Sequence, residues 1–224
     1  MEEIERIKEA YTHRQNDKRI VLNEKKFHFN YYMTSERELK YLEIIKSKFD
    51  DLKELKFLEI GAGSGYNLYF FARHGFRLNN IWANELLEDR FKALSDNFPN
   101  CNLIEGNALD FKTGVKYNVI LQSTVFSSIL SFEIKKKIAD MLIGLLDDNG
   151  IILSYDFLYD NPKNKDVKGI SKKEIQELFN KSSKIEYTKV TLAPPIGRRI
   201  GKLYPFINSL FPFLRTHCIA TIYK

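Results

Sequence analysis

The run Phe57-Leu58-Glu59-Ile60-Gly61-Ala62-Gly63-Ser64-Gly65 constrains this chain more than any other stretch, because an apolar segment carrying one acid leads directly into three alternating glycines. The pattern reads as a short buried strand, a turn that needs positive φ, and a helix from Tyr66 to His74. The first amides of that helix point at whatever occupies the turn, so the feature is a cradle for a nucleotide-like ligand. The dinucleotide form of such a cradle spaces its glycines G-x-G-x-x-G and makes no demand for an acid ahead of the turn. Here the order is Glu-Ile-Gly-x-Gly-x-Gly. A carboxylate at Glu59 can accept a hydrogen bond from a cationic amino group, which suits a methionine moiety better than a pyrophosphate.

Twenty residues past Gly65, Ile81-Trp82-Ala83-Asn84-Glu85 reads as a second strand ending in a carboxylate. In an α/β sheet that places Glu85 beside the tip of the first strand, where it can take both hydroxyls of a ribose. Cradle and acid together resemble the class I S-adenosylmethionine (SAM) dependent methyltransferases. The resemblance implies an α/β fold: a seven-stranded, mostly parallel, Rossmann-like methyltransferase sheet with an antiparallel last strand and helices on both faces. It implies SAM as cofactor, with contacts from Glu59, Gly61, Ala62, Gly63 and Gly65 on the first strand and turn, and from Glu85 and Leu86 after the second strand. Asn107 and Ala108 after the third strand and Gln122 on the fourth complete that set.

A length of 224 residues suits one large domain or a domain with an appendage. Hydrophobic content of 44% and charged content of 29% are ordinary for a globular protein, and no apolar run approaches the roughly 20 residues of a membrane span. The acidic start Met1-Glu2-Glu3-Ile4-Glu5 lacks the order of a signal peptide, so a cytoplasmic protein is expected. Cys101 and Cys218 have neither metal-ligand spacing nor a disulfide framework, and no metal is expected. The net charge of +6 comes from scattered lysine and does not choose among nucleic acid, membrane or phosphorylated small-molecule partners.

Taken in order, Ile4, Ile7, Ala10 and Tyr11 fall at helical spacing before the polar stretch Asn16, Asp17 and Lys18. The aromatic cluster Phe27 to Tyr32 then precedes Ser35 and Glu38 in capping-box register, predicting a helix with apolar face Leu39, Leu42, Ile45 and Phe49. Residues 1–50 are thus expected as an N-terminal helical cap on a SAM-binding domain of residues 51–224. Packed over the open mouth, such a cap would bring Tyr11, Arg14, Tyr31 and Tyr32 to the substrate side.

A helix through Phe91 and Leu94 leads to a third strand, Asn102 to Glu105, then Gly106-Asn107-Ala108. The family resembled commonly has Gly-Asp-Ala at this point. Asn107 departs from that, though its amide oxygen can still accept from an adenine amine. The fourth strand, Tyr117 to Leu121, runs into Gln122-Ser123-Thr124-Val125-Phe126 without the Asn/Asp-Pro-Pro-aromatic run of base amino-methyltransferases or a cysteine suited to cytosine C5 chemistry. Asp147 and Asp148 fall at the wrong end of the sheet for a catechol-type metal site. Ser131 is expected to cap a helix of which Lys135-Lys136-Lys137 forms the solvated flank, and Ile151 to Phe157 is the fifth strand.

Ser171 and Glu174 form a second capping box before the strand Ile185 to Leu192, which Pro194-Pro195 stops. An antiparallel last strand, His217 to Tyr223, must start at the edge where the others end. Residues 193 to 217 are therefore expected over the site, bringing Arg198, Arg199, Lys202, Arg215 and His217 near substrate, with guanidinium groups suited to phosphate or carboxylate. The segments Gln122 to Leu130, Tyr155-Asp156-Phe157, Asp160-Asn161-Pro162, Leu192 to Pro195 and Leu214 to His217 are similar to small methyltransferases found with bacterial surface-polysaccharide enzymes. That resemblance implies methyl transfer, most simply to oxygen, on a small and anionic acceptor such as a nucleotide sugar or phosphorylated glycan, with no nucleic-acid partner and with capsule-type polysaccharide biosynthesis as the setting. Ser123 and Tyr155 join the arginines as substrate-side residues, and His217 and Asp156 are the expected catalytic pair. An RNA or protein methyltransferase, or a SAM-binding module without catalysis, are the alternatives; oligomeric state is not encoded legibly.

Overall fold

The computed structural model describes residues 2–16, 24–162 and 164–224, without the side chains of residues 13–16, so Asp17, Lys18 and the Arg14 side chain lie outside the described residues. The strands are β1 (Phe57–Ile60), β2 (Ile81–Glu85), β3 (Asn102–Glu105), β4 (Tyr117–Ser123), β5 (Leu146–Phe157), β6 (Lys184–Leu192) and β7 (Arg215–Tyr223). They form one sheet in the order β3-β2-β1-β4-β5-β7-β6. β7 is antiparallel to β5 and β6, and the remaining pairs are parallel, as expected. The order reverses between β1 and β4, which puts a crevice at the carboxyl ends of those strands.

The helices are α1 (Glu2–Asn16), α2 (Glu24–Lys46), α3 (Tyr66–Arg73), α4 (Glu88–Asn97), α5 (Phe132–Leu145), α6 (Lys172–Leu178), α7 (Pro194–Ile200) and α8 (Tyr204–Leu210). Because strand side chains alternate between faces, Phe57, Leu121, Leu153 and Ile219 look one way, onto Tyr41 and Ile45 of α2 and Phe70 and Phe71 of α3. Leu58, Ile60, Ile120 and Ile152 look the other way, onto Ile138 and Leu142 of α5 and Ile175 of α6. Both faces of the central strands are covered, so they carry buried apolar runs such as Val119-Ile120-Leu121 and Ile151-Ile152-Leu153.

Several local expectations are corrected. Ser35 and Glu38 do not begin a helix: α2 runs unbroken from Glu24, since nothing between 24 and 46 is glycine or proline. Its inward face is Phe29, Tyr41 and Ile45, whereas Leu39 is exposed. Lys135 is not solvated flank: it is 1% exposed, with its ammonium 2.5 Å from Glu174 Oε1. The pair joins α5 to α6, and helical spacing alone cannot show that a neighbouring helix covers that position. β5 begins at Leu146, and the extra length is taken up by a register shift against β4 between Tyr117 and Val119.

Candidate active site

The cradle forms where β1 ends. Gly61, Gly63 and Gly65 have φ of +69°, +60° and +89°, the left-handed region that the alternating pattern requires. They differ in surroundings. A Cβ on Gly65 would lie 2.4 Å from the Phe98 ring, so this glycine lets α3 pack on α4's end, while a Cβ on Gly63 would meet nothing within 4 Å. Gly63 faces open space, and its amide donates a 2.7 Å bond to Glu85 Oε2. Glu85 Oε1 accepts from Leu87 N at 2.9 Å, which leaves half of the carboxylate's acceptor positions for a ligand.

Beside it lies a cavity of about 850 Å³, mouth included, lined by Gly61, Glu85, Leu86, Asn107, Ala108 and Ser123, and on the apolar side by Val125, Ile129, Ile134 and Ile138. Ile4, Ile7 and Tyr11 of α1 complete the wall. α1 is fastened there by Glu3 Oε1, which accepts from Leu130 N at 2.6 Å, and by Arg6 Nη2, which donates to Ser128 O at 2.6 Å. Tyr11 OH lies 3.1 Å from Ser128 Oγ, with the Arg90 guanidinium 4.3 Å over its ring. Asn107 uses its side-chain oxygen to cap the next turn, accepting from Leu109 N at 3.1 Å.

On the other side of β1 the site becomes polar. Glu59 is 1% exposed; its Oε1 accepts from Asn67 Nδ2 at 2.6 Å and its Oε2 has no partner. Burial pushes this carboxyl up to about 8, against the Asn67 bond and the Arg37 charge, which pull it down. Asn67 Oδ1 lies 3.4 Å from Arg37 Nη2, and Arg37 Nε is buried and unpartnered. The guanidinium stands 5.0 Å from the Tyr155 ring centre. His217 stacks on that ring at 5.5 Å, and the hydroxyl of fully buried Tyr41 is unpartnered too. Glu59, Asn67 and Arg37 thus form a relay whose ends are an acid oxygen and a guanidinium nitrogen, both unpartnered.

No protein-family model matches the sequence, and no curated protein does. Solved structures do match in shape. Magnesium protoporphyrin IX methyltransferase (ChlM) from Synechocystis, with bound SAH, gives a TM-score of 0.61 at 9% identity over 96% of this chain and 94% of that one. SAM-bound CalS10, an amino pentose methyltransferase from Micromonospora echinaspora, gives 0.57 at 12% identity over 83% and 89%. A TehB-like SAM-dependent methyltransferase from Corynebacterium glutamicum gives 0.56 at 10% identity over 84% and 86%. The fold is the class I methyltransferase fold. At such identities the likeness speaks for fold, and the site must be argued from this chain's own residues.

Within that fold the remaining expected residues are scattered. Ala62 is buried, its amide bound to Asn84 O at 2.9 Å. Gln122, expected against the cofactor, is fully buried and spent internally: Oε1 accepts from Val125 N and Phe126 N, and Nε2 donates to Ser154 Oγ and Asp156 Oδ2. Asp156 also accepts from Ser127 N at 3.1 Å, and burial raises its pKa to about 6. Gln122 and Asp156 brace the 123–128 turn from beneath. Thr124 in that turn has φ +60°, a conformation a β-branched residue adopts only under constraint.

The expected pairing of Asp156 with His217 is corrected by sheet register. Asp156 pairs with Cys218 and Phe157 with His217, so Asp156 and His217 project from opposite faces. Burial, with the Arg37 charge, also lowers the His217 pKa to about 4, and its Nδ1 lies 3.1 Å from Thr216 Oγ1. The crossover is at the carboxyl edge as expected, but over α2 and β6 rather than the cavity. Arg198 and Arg199 are exposed on α7, Arg198 lying 5.8 Å from the Phe29 ring. Arg215 is engaged by Asn208 at 2.9 Å and lies 3.7 Å from Glu36. Tyr32 stacks between His28 and Tyr204.

Arg37, Tyr41 and Glu36 were missed by the sequence reading. An aromatic run hid the α2 register, and a polar residue pointing inward from a helix carries no local signal. Glu36 Oε2 accepts from Thr191 N and Tyr204 OH, and Oε1 from Asn208 Nδ2, so one carboxylate holds α2, β6 and α8 together.

Proposed function

We propose that this chain binds SAM between the cavity and the polar relay and transfers its methyl group to a small acceptor. The carrying observation is the Glu59-Asn67-Arg37 relay, whose unpartnered carboxyl oxygen and unpartnered guanidinium nitrogen match the ammonium and carboxylate of a methionine moiety. Unpartnered buried polar atoms are costly, and a zwitterion satisfies both ends at once. Glu85 would take the ribose hydroxyls, Leu86, Ala108 and Ile129 the adenine faces, and Asn107 the adenine edge, while Gly63 keeps the backbone clear of the ligand.

SAM supplies a methyl carbon on a sulfonium leaving group, so the protein's task is to align an acceptor with it and exclude water. Ser123 and Thr124, at the tip of β4 and on the cavity wall, stand at the junction of the two halves, as does the Tyr155 and His217 stack on the relay side. His217 stays neutral near pH 7 and offers a hydrogen-bond acceptor to a hydroxyl, orienting the oxygen rather than storing its proton. Asp156 acts through the turn that it braces.

The acceptor is read as a hydroxyl of a nucleotide sugar or phosphorylated glycan in surface-polysaccharide biosynthesis. Supporting this are the resemblance at 122–130, 155–157, 160–162, 192–195 and 214–217 and the presence of an amino pentose methyltransferase among proteins of the same fold. Transfer of labelled methyl from SAM to a panel of nucleotide sugars and phosphorylated glycans, with RNA and protein as controls, tests it. Labelling of RNA or protein alone would replace the acceptor. An Arg37→Met variant tests the relay: SAM affinity should fall roughly 10- to 100-fold, the worth of a charge-assisted bond, while adenosine affinity stays the same.

A further inference from the structure

The crossover between β6 and β7 carries a surface that methyl transfer does not use. Its helix α8 is inverted relative to an ordinary surface helix. The face turned into the protein holds Tyr204 and Asn208, bound through polar tips to Glu36. The outward face holds Leu203, just before the helix, then Phe206 and Leu210, at 60%, 62% and 54% exposure. These lie three and four residues apart, one stripe of a helix. Phe213, at 72% the most exposed large apolar residue among the described residues, and Phe211 extend the stripe as an edge-to-face pair.

The crossover packs on the first turns of α2. Gly201 lies against Lys25, Gly197 against Phe29, and Lys202 pairs with Glu24 at 2.9 Å, so the two segments form one surface. An apolar area of this extent needs a partner.

The charge around it says which. Residues 194–214 contain Arg198, Arg199 and Lys202 and no acid, and Lys25 adds to them from α2, where Glu24 is the lone acid before Glu36. Protruding phenylalanines on an acid-free segment that also carries exposed Arg198 and Arg199 match a bilayer interface, where aromatic and aliphatic side chains enter the headgroup boundary and cations meet anionic lipid. We propose that this face docks the protein reversibly on an anionic lipid bilayer. The docking does not depend on the methyltransferase reading. It would set the carboxyl edge of the sheet, where the candidate site opens, beside the membrane.

Co-sedimentation of the purified chain with phosphatidylcholine vesicles, with and without phosphatidylglycerol, tests this. Binding should require phosphatidylglycerol and weaken with salt. A Phe206→Ser/Phe213→Ser variant should lose about tenfold or more in partition coefficient, in line with the transfer of phenylalanine from water. Arg198→Glu/Arg199→Glu should lose binding to the anionic vesicles. Circular dichroism checks that the variants fold. A Phe213→Trp variant supplies a readout in an otherwise intact chain: its emission should shift to the blue when anionic vesicles are added, Trp82 being the one tryptophan already present. No sedimentation of the wild type with anionic vesicles, or binding that the variants leave unchanged, would overturn the proposal. So would a dimer that Phe206→Ser/Phe213→Ser dissolves without any vesicle binding, because the face would then serve self-association.

Discussion

Asn67 Nδ2 donates a 2.6 Å hydrogen bond to Glu59 Oε1, and Oε2 of the same carboxyl, buried against the cradle, has no partner. Burial raises this group from 4.5 to about 8, so near pH 7 the ligand-free protein holds it mostly protonated. A ligand ammonium at Oε2 favours the ionised form, and binding should release a proton. Calorimetry of SAM in buffers of different ionisation enthalpy should show proton release at pH 7, with affinity rising between pH 6 and 8. Glu59→Gln should abolish the release and weaken binding by roughly 10-fold or more. The same shift has a cost in the free protein. The native state holds a proton that the unfolded chain gives up above pH 4.5, so this group's contribution is fully present below 4.5 and is lost as pH rises toward about 8.

Glu36 is the second residue to test, because its carboxylate accepts from Thr191 N, Tyr204 OH and Asn208 Nδ2 while 13% of its side chain is exposed. Glu36→Ala would leave three donors without their acceptor and free Thr191, held at φ +61°, from the bond that fixes it. Denaturant unfolding should show a loss of about 3 kcal/mol, the scale for breaking a buried charged network. A loss within experimental error would show that α8 and β6 hold together without it.

His217 gives a test with the opposite pH sign to Glu59. Its pKa is lowered from 6.5 to about 4, first by burial and then by Arg37. Its contribution to stability is therefore present above pH 6.5 and is lost as pH falls toward 4, where the unfolded chain binds the proton and the native ring resists it. The difference in unfolding free energy between wild type and His217→Asn should vary across that window and level off above it. Turnover should show no inflection from this ring between roughly pH 6 and 7, where an unperturbed histidine titrates. Such an inflection, absent in His217→Asn, would restore a proton-storing role.

How legible the site was follows from where each signal resides. The seven-stranded sheet and its antiparallel β7 were expected because Gly61 to Gly65 and Glu85, local patterns with fixed spacing, carry the resemblance that implies them, and a polar strand end at Ser123 marks an edge; the order of the strands has no such local signal. Gln122 looks the same in sequence as a ligand contact; only the four bonds around it show that it is a brace. The separation of Asp156 from His217 was hidden for another reason. It depends on the pairing of Phe157 with His217 across two strands, and a one-residue change of register would have put both on the same face. Arg37 was invisible because a charged residue inside a helix ordinarily faces water, and its burial is decided by Tyr155, more than a hundred residues away.

Calorimetric titration of wild type and Glu85→Ala with SAM and with NAD decides whether the Gly63 and Glu85 cradle holds SAM. The expected result is one-site binding of SAM by the wild type, a loss of about 1 to 3 kcal/mol in Glu85→Ala from the broken ribose bonds, and no comparable heat with NAD. SAM binding undiminished in Glu85→Ala, or NAD bound more tightly than SAM, would contradict it.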